Sequence, residues 1–447
     1  MSVEPARTVP ATAGPSADGC DVLVIGGGPA GSTAAAMLAE RGRDVVLLEK
    51  DAHPRFHIGE SLLPANLAIF EKLGVRDAVH AMGVFKPGAE FVSDDTGKRV
   101  AFPFALAPDK TYTHSYQVKR AELDAVLFEN AVRKGARARQ RTRVVDVNTR
   151  ADAGGAGRSL VTARTEDGSV RLYAPRFLLD ASGRDTFMAG RLRSKNANKN
   201  NNTAAVYAHF TGVEARTADT KGYISVHLAE DGWFWMIPLQ GGIMSVGFVG
   251  TQAAFKQRQG AGKEAFLEHR LRSSPTVAGR MKGAERISEV TSTGNYSYRA
   301  TTACGDNHFL IGDAFAFIDP VFSSGVLLAM TGGDLGADVA DRWLDDPVRG
   351  RAAARRAERR LCRAMDHLGW LIYRINDPIL RDMMMNPSNR FGMRDGIIGM
   401  LAGNLDRTWR GVLPELAFKT AYHMLKGASR FSTRKPAGAS PAETAAE

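Results

Sequence analysis

The sequence predicts an α/β fold: a Rossmann-type βαβ unit, a second sheet interleaved with it, and a helical C-terminal region. Three observations carry this expectation. Asp21-Val22-Leu23-Val24-Ile25 is a short, nearly unbroken apolar run that passes through a glycine-rich turn into an Ala- and Leu-rich stretch, as a buried parallel strand feeding a helix does. Residues 204–250 alternate as sheet does, and from Gly325 onward the pattern is mostly helical.

Taken in order, order begins at Cys20-Asp21, and Ser32 to Arg41 forms a helix stopped by Gly42. Val45-Val46-Leu47-Leu48-Glu49 is a second strand, so residues 21–49 make one βαβ unit. Gln117 to Lys134 has helical periodicity, with Leu123, Val126, Leu127, Ala131 and Val132 on one side. Asp167-Gly168 between Leu160-Ala163 and Val170-Tyr173 marks a hairpin. A separate strand, Phe177 to Asp180, ends at Ala181-Ser182-Gly183. Ser194 to Thr203, with five asparagines and two lysines, is a loop by composition. Leu310 to Gly312 ends another core strand, and Pro378 and Pro387 interrupt the later helices. The expected organisation is a tail over 1–19, a core over 20–345 whose interleaved sheet takes in about 87–115 and 185–290, helices over 346–431, and a disordered tail over 432–447.

With 447 residues, 44% of them apolar and 24% charged, the chain has the balance of a large globular enzyme. Its net charge of +11 admits phosphorylated cofactors, acidic proteins, nucleic acid or anionic lipid as partners, and no recognition motif favours nucleic acid. Cys20, Cys304 and Cys362 have neither disulfide nor zinc spacing, and His53, His57, His114 and His227 show no ligand spacing, so no metal is expected. Asn295-Tyr296-Ser297 fits a glycosylation acceptor, without meaning in a cytoplasmic chain. No apolar stretch approaches a membrane span or a signal peptide, and the reduced cytoplasm is the expected compartment.

Gly26, Gly28 and Gly31 spell G-x-G-x-x-G between strand and helix, and Glu49 closes the next strand 23 residues after Gly26. Glycines let the backbone approach a pyrophosphate, the helix N-terminus supplies N–H groups, and the carboxylate can accept from ribose hydroxyls. The unit binds a dinucleotide.

Arg120-Ala121-Glu122-Leu123-Asp124, Asp180-Ala181-Ser182-Gly183 and Gly312-Asp313-Ala314 follow it. With them the chain resembles the para-hydroxybenzoate hydroxylase-like flavoproteins, which implies non-covalent FAD, with Arg120 near the flavin and Asp313 at the ribityl chain.

Gly232-Trp233-Phe234-Trp235-Met236-Ile237-Pro238 contains W-x-W-x-I-P, and Phe317 to Gly325 contains F-x-x-P-x-x-S-x-G. Two indoles one residue apart on a strand face the same way and build an apolar wall. Small residues at a helix start leave amides free for an anion. Both motifs resemble the flavin-dependent halogenases, as does Ile58-Gly59-Glu60-Ser61-Leu62-Leu63-Pro64. The resemblance implies that Lys86 is the catalytic lysine that aims hypohalous acid at carbon. It also implies halide at Ser324 and Gly325, a wall of Trp233, Trp235, Pro238 and Phe322, and FAD contacts from Gly26, Gly28, Ala30, Gly31, Glu49, Lys50, Glu60, Ser61, Arg120 and Asp313. Phe322 stands where the tryptophan branch carries Glu, which points to phenols or pyrroles instead of free tryptophan. FADH2 is then expected from a separate flavin reductase, with O2 and chloride or bromide as co-substrates.

Between Arg349 and Arg363 lie seven arginines and Glu358, a net charge of +6. Such a run is either a solvated helix face or a landing site for an acidic acyl carrier protein bearing the aromatic substrate. The expected assembly is a monomer or a homodimer. Two other readings share the FAD frame: an NAD(P)H-consuming aromatic hydroxylase or prenyl reductase, which would ignore halide, and a non-catalytic flavoprotein that only binds a carrier.

Overall fold

The computed structural model describes residues 17–150, 157–198, 203–216, 218–256, 258, 260, 262–294, 297–405 and 409–432. The expected tails, apart from residues 17–19 and 432, lie outside the described residues, as do Asn295 and Tyr296. Among the described residues no helix is long and apolar enough to cross a membrane.

The first sheet sets Arg137–Arg139, Val45–Leu48, Asp18–Ile25 and Val170–Asp180 side by side and parallel, with His308–Leu310 against the end of the last. Val22, Leu23 and Val24 are fully buried because both faces of the sheet are covered, which is why the strand reads as a continuous apolar run. The first strand starts at Asp18, inside the expected tail, where Arg137 bridges the carboxylates of Asp18 and Asp44. The hairpin partner Leu160–Thr165 pairs antiparallel with residues 170–173, but Val170 to Asp180 is one eleven-residue strand and not two. Pro175 does not break it, because the hairpin partner has already left and His308–Leu310 begins pairing only at Leu178; a proline is tolerated where the strand has a free edge.

The second sheet carries the expected alternation in Thr203–Thr211, Ile224–Ala229, Gly232–Leu239 and Ile243–Thr251, joined antiparallel, while Gly88–Ser93 runs parallel to Ile224–Ala229. One face, with Tyr207, Trp233 and Trp235, belongs to the main core. The opposite face, with Phe234, Met236 and Phe248, is covered by Phe266, Leu267, Leu271 and Val277 of two helices. Part of the asparagine-rich segment is not loop: Lys195–Ala197 pairs with Tyr298–Ala300.

The C-terminal part is helical over Gly325–Asp345, Pro347–Ile372, Pro378–Met385, Met393–Leu401 and Trp409–Ser432. Pro347 and Pro378 each open a helix behind a capping aspartate, Asp346 and Asp377. Helix Gly325–Asp345 lies on helix Pro29–Glu40, and Gly333 makes the approach possible: a Cβ there would come within 2.4 Å of the Ala30 carbonyl oxygen. Gly333→Val is therefore expected to cost about 1–3 kcal/mol in denaturant unfolding, whereas Gly279→Ala, which meets nothing within 4 Å, should stay within about 0.5 kcal/mol of the parent.

Candidate active site

A cavity of about 590 Å³ opens at the C-terminal ends of the parallel strands, bounded on one side by the second sheet. That is where an open parallel sheet receives a ligand, and the size suits a cofactor. Its glycines do different work. Gly26 has φ +101°, and a Cβ there would sit 2.4 Å from the Ala181 carbonyl oxygen. A Cβ on Gly31 would lie 1.9 Å from the Gly26 carbonyl oxygen, so both serve close backbone packing, and Gly31 does not line the cavity. Gly28 is different: the nearest protein atom to its missing Cβ is Arg55 Nη2 at 3.8 Å, and the bare position faces the cavity at the start of helix Pro29–Glu40. Open space before a helix N-terminus fits a pyrophosphate.

Glu49 is almost fully buried and accepts from the Gly27 amide at 2.6 Å and the Asp51 amide at 3.0 Å. It braces the glycine turn while still lining the cavity beside Ala30 and Lys50, and Lys50 pairs with Asp185. Asp180 holds the far turn by accepting from the Ser182 and Met188 amides at 2.9 and 2.8 Å.

Residues 55–61 cross the cavity as a strap. Arg120 clamps it, giving two hydrogen bonds to Asp124, at 2.9 and 3.0 Å, and one to the Ile58 carbonyl at 2.7 Å. Beyond the clamp the Glu60 carbonyl accepts from Val118 N, and Leu62 N donates to Tyr116 O. Asp313 faces the cavity from the 3₁₀ turn Gly312–Ala314, and desolvation, opposed by Arg120 and Arg184, raises its carboxyl to about 6. Glu60 and Ser61 line the same space, and Glu60 Oε2 and Ser61 Oγ are buried there without a hydrogen-bond partner.

Trp233 and Trp235 lie side by side on the cavity surface, their rings 6.0 Å apart. Trp235 is seated by Gly247, where a Cβ would come within 2.2 Å of the indole, and its Nε1 donates to Ser245 Oγ at 3.1 Å. Gly325 lines the cavity, while Ser324, behind it, is fully buried with an unpartnered hydroxyl. Ser323 reaches the cavity with φ +59°. Pro238 and Phe322 do not line it; Phe322 is buried against Phe91.

Lys86 lies one residue beyond the cavity wall. It is 1% exposed, its Nζ donates to the Leu62 carbonyl at 2.8 Å, and the Phe104 ring stands 5.3 Å away. Burial pushes its ammonium down to about 7. Phe56 and His57, which the sequence motifs do not single out, also line the cavity, and Phe56 packs against Tyr207 and His209 of strand Thr203–Thr211 outside it. Burial, with Arg120 nearby, pushes the His57 imidazole down to about 4. Only its place two residues before Gly59 hinted that His57 belonged to the strap. The seven arginines of 349–363 are all exposed along helix Pro347–Ile372.

Residues 19–333 match the family described as FAD binding domain. The tryptophan 2-halogenase of Chondromyces crocatus is 36% identical over 312 residues, 69% of this chain and 58% of that protein. The 1H-pyrrole-2-carbonyl-[peptidyl-carrier protein] chlorinase of Pseudomonas fluorescens is 31% identical over 335 residues, 69% of this chain and 73% of that protein. Among solved structures, a flavoprotein/dehydrogenase from Cytophaga hutchinsonii superposes with a TM-score of 0.82 at 26% identity, covering 92% of this chain and 100% of its own. The myxobacterial chondrochloren halogenase CndH gives 0.74 at 29%, covering 88% and 99%. The chain belongs to the FAD-binding-domain family and, within it, to the flavin-dependent halogenases. It spans about three fifths of the length of several curated relatives it matches.

The lysine gives a sign-definite prediction. Below pH 7 folded and unfolded states both hold the Lys86 proton and the burial cost is fully present; between about 7 and 10.5 only the unfolded chain holds it, so the cost fades as pH rises. Lys86→Met should raise the melting temperature by a few degrees at about pH 6, and the gain should shrink at about pH 9.

Proposed function

We propose that the chain is an FAD-dependent halogenase acting on an electron-rich phenol or pyrrole, free or tethered to an acyl carrier protein. The observation that carries this reading is a desolvated lysine one residue behind the wall of a dinucleotide cavity. Bound in its reduced form, FAD supplies the electrons with which dioxygen oxidises chloride or bromide.

The protein's own groups divide the remaining work. Gly26, Gly28, Ala30 and Gly31 receive the pyrophosphate at the helix N-terminus, Glu49 and Lys50 the adenosine end, and Glu60, Ser61, Arg120 and Asp313 the flavin half. The Ser324 and Gly325 amides hold halide, and the unpartnered Ser324 hydroxyl supports an anion nearby. Trp233 and Trp235, backed by Pro238 and Phe322, keep the aromatic substrate from the flavin. Lys86 Nζ orients hypohalous acid. As the ring carbon attacks the halogen and the oxygen–halogen bond breaks, Lys86 lends a proton to the departing oxygen and recovers one from the ring, so water is the by-product. A proton affinity near neutrality suits that exchange. Phe322, in place of a carboxylate, supports a ring activated by its own oxygen or nitrogen.

A separate flavin reductase supplies reduced FAD, and the unpaired Cys20, Cys304 and Cys362 suit a reducing cytoplasm. The pyrrole chlorinase among the relatives acts on a carrier-bound ring, and the exposed arginine face offers an acidic carrier a landing surface.

The test incubates a phenol and a carrier-bound pyrrole with enzyme, FAD, reductase, NADH, air and halide, read by mass spectrometry. A halogen isotope pattern is expected, with turnover of the tethered ring falling more steeply with added salt than that of the free one. A product heavier by one oxygen atom and independent of halide would make the enzyme a hydroxylase, and equal salt dependence would remove the carrier.

A further inference from the structure

Glu60 is 1% exposed, lines the cavity and keeps Oε2 without a partner, while its Oε1 lies 2.9 Å from His209 Nε2. The approach is a close contact and not a straight hydrogen bond. His209 stands on strand Thr203–Thr211 with 13% of its side chain exposed. Phe56, itself 52% exposed, packs edge-on against the imidazole at 5.5 Å. One buried carboxylate thus joins the inside of the cavity to a histidine that reaches water. We infer that His209 and Glu60 form the proton port of the flavin cavity.

On the halogenase reading above, the reaction consumes a proton that such a port would deliver. Dioxygen takes two electrons from reduced flavin and two from halide: FADH2, O2, halide and one proton give FAD, hypohalous acid and water. One proton enters per turnover. His209 takes it from solvent and Nε2–H passes it to Glu60 Oε1; a half-turn of the carboxyl presents it at Oε2, where an oxygen atom derived from dioxygen accepts it.

Several neighbouring groups do not substitute. From strand Thr203–Thr211, Tyr207 is raised by burial to about 12 and keeps its proton. His57 in the strap, held down near 4, stays neutral. Arg55, Arg120 and Arg184 do not release protons. Glu49 is committed to the Gly27 and Asp51 amides and Asp124 to Arg120. Asp313 faces the cavity, but the charged groups acting on it are Arg120 and Arg184, neither of which can refill it.

The experiment uses full-length protein loaded with FAD, reduced anaerobically and mixed with oxygenated buffer containing bromide. Flavin absorbance reports reoxidation, a scavenger in solution traps hypohalous acid, and fluorescence titration separately reports FAD affinity. His209→Ala and Glu60→Gln should each slow bromide-dependent hypohalous acid formation about 100-fold, with FAD affinity changed by less than the rate. Free imidazole should restore most of the His209→Ala rate and none of the Glu60→Gln rate. His209→Gln, which keeps a donor toward Glu60 and so guards against loss of folding, should bind FAD like the parent yet remain slow. Unchanged rates in Glu60→Gln, or a loss in His209→Ala that follows FAD affinity and ignores imidazole, would overturn the port. A parent enzyme that binds FAD but forms no hypohalous acid would overturn the halogenase reading and the port with it.

Discussion

An ammonium group taken out of water keeps its proton only where something polar meets it, and Lys86 has one carbonyl and the face of an aromatic ring. The Leu62 carbonyl must therefore be fixed, and the surrounding structure fixes it. Leu62 N is held by Tyr116 O, the Glu60 carbonyl by Val118 N, and the strap before them by Arg120 on the Ile58 carbonyl. The same strap walls the cavity, so the cofactor side and the lysine side share one backbone segment. A disturbance in residues 55–62 reaches both.

That partition works because rigid elements converge on it. Close approach at Gly26, Gly31 and Gly333 locks the first helix between the parallel sheet and helix Gly325–Asp345, which sets Gly325 opposite the glycine turn. From the other side, the pairing of Gly247 with Trp235 sinks an indole into the sheet, so two bulky rings fit on one strand face without spreading their neighbours. Small residues thus decide where large ones can stand.

What could be read from sequence was local. The strand–turn–helix–strand unit, the paired tryptophans and the 160–173 hairpin declare themselves through periodicity and turn chemistry within a few dozen residues. What could not be read depends on distant partners. Strand pairing begins at Asp18 because Arg137 neutralises Asp18 and Asp44 together, and the strand passes Pro175 because its neighbours change there. The five-asparagine stretch yields a short strand only because Tyr298–Ala300 lies alongside. His209 and Glu60 are 149 residues apart, and neither sits in a motif that names the other. Ser324, Pro238 and Phe322 were expected around the cavity, yet the structure sets them behind its surface.

Lys86 is proposed to act after the flavin chemistry and on the aromatic side of the partition. Uncoupling tests it most directly: in Lys86→Met, flavin reoxidation and hypohalous acid caught by a small scavenger in solution would be measured beside halogenation of the aromatic substrate. Parent-like reoxidation and trapped hypohalous acid are expected, with aromatic halogenation reduced about 100-fold or more. Halogenation at the parent rate, or loss of flavin reoxidation itself, would contradict that role.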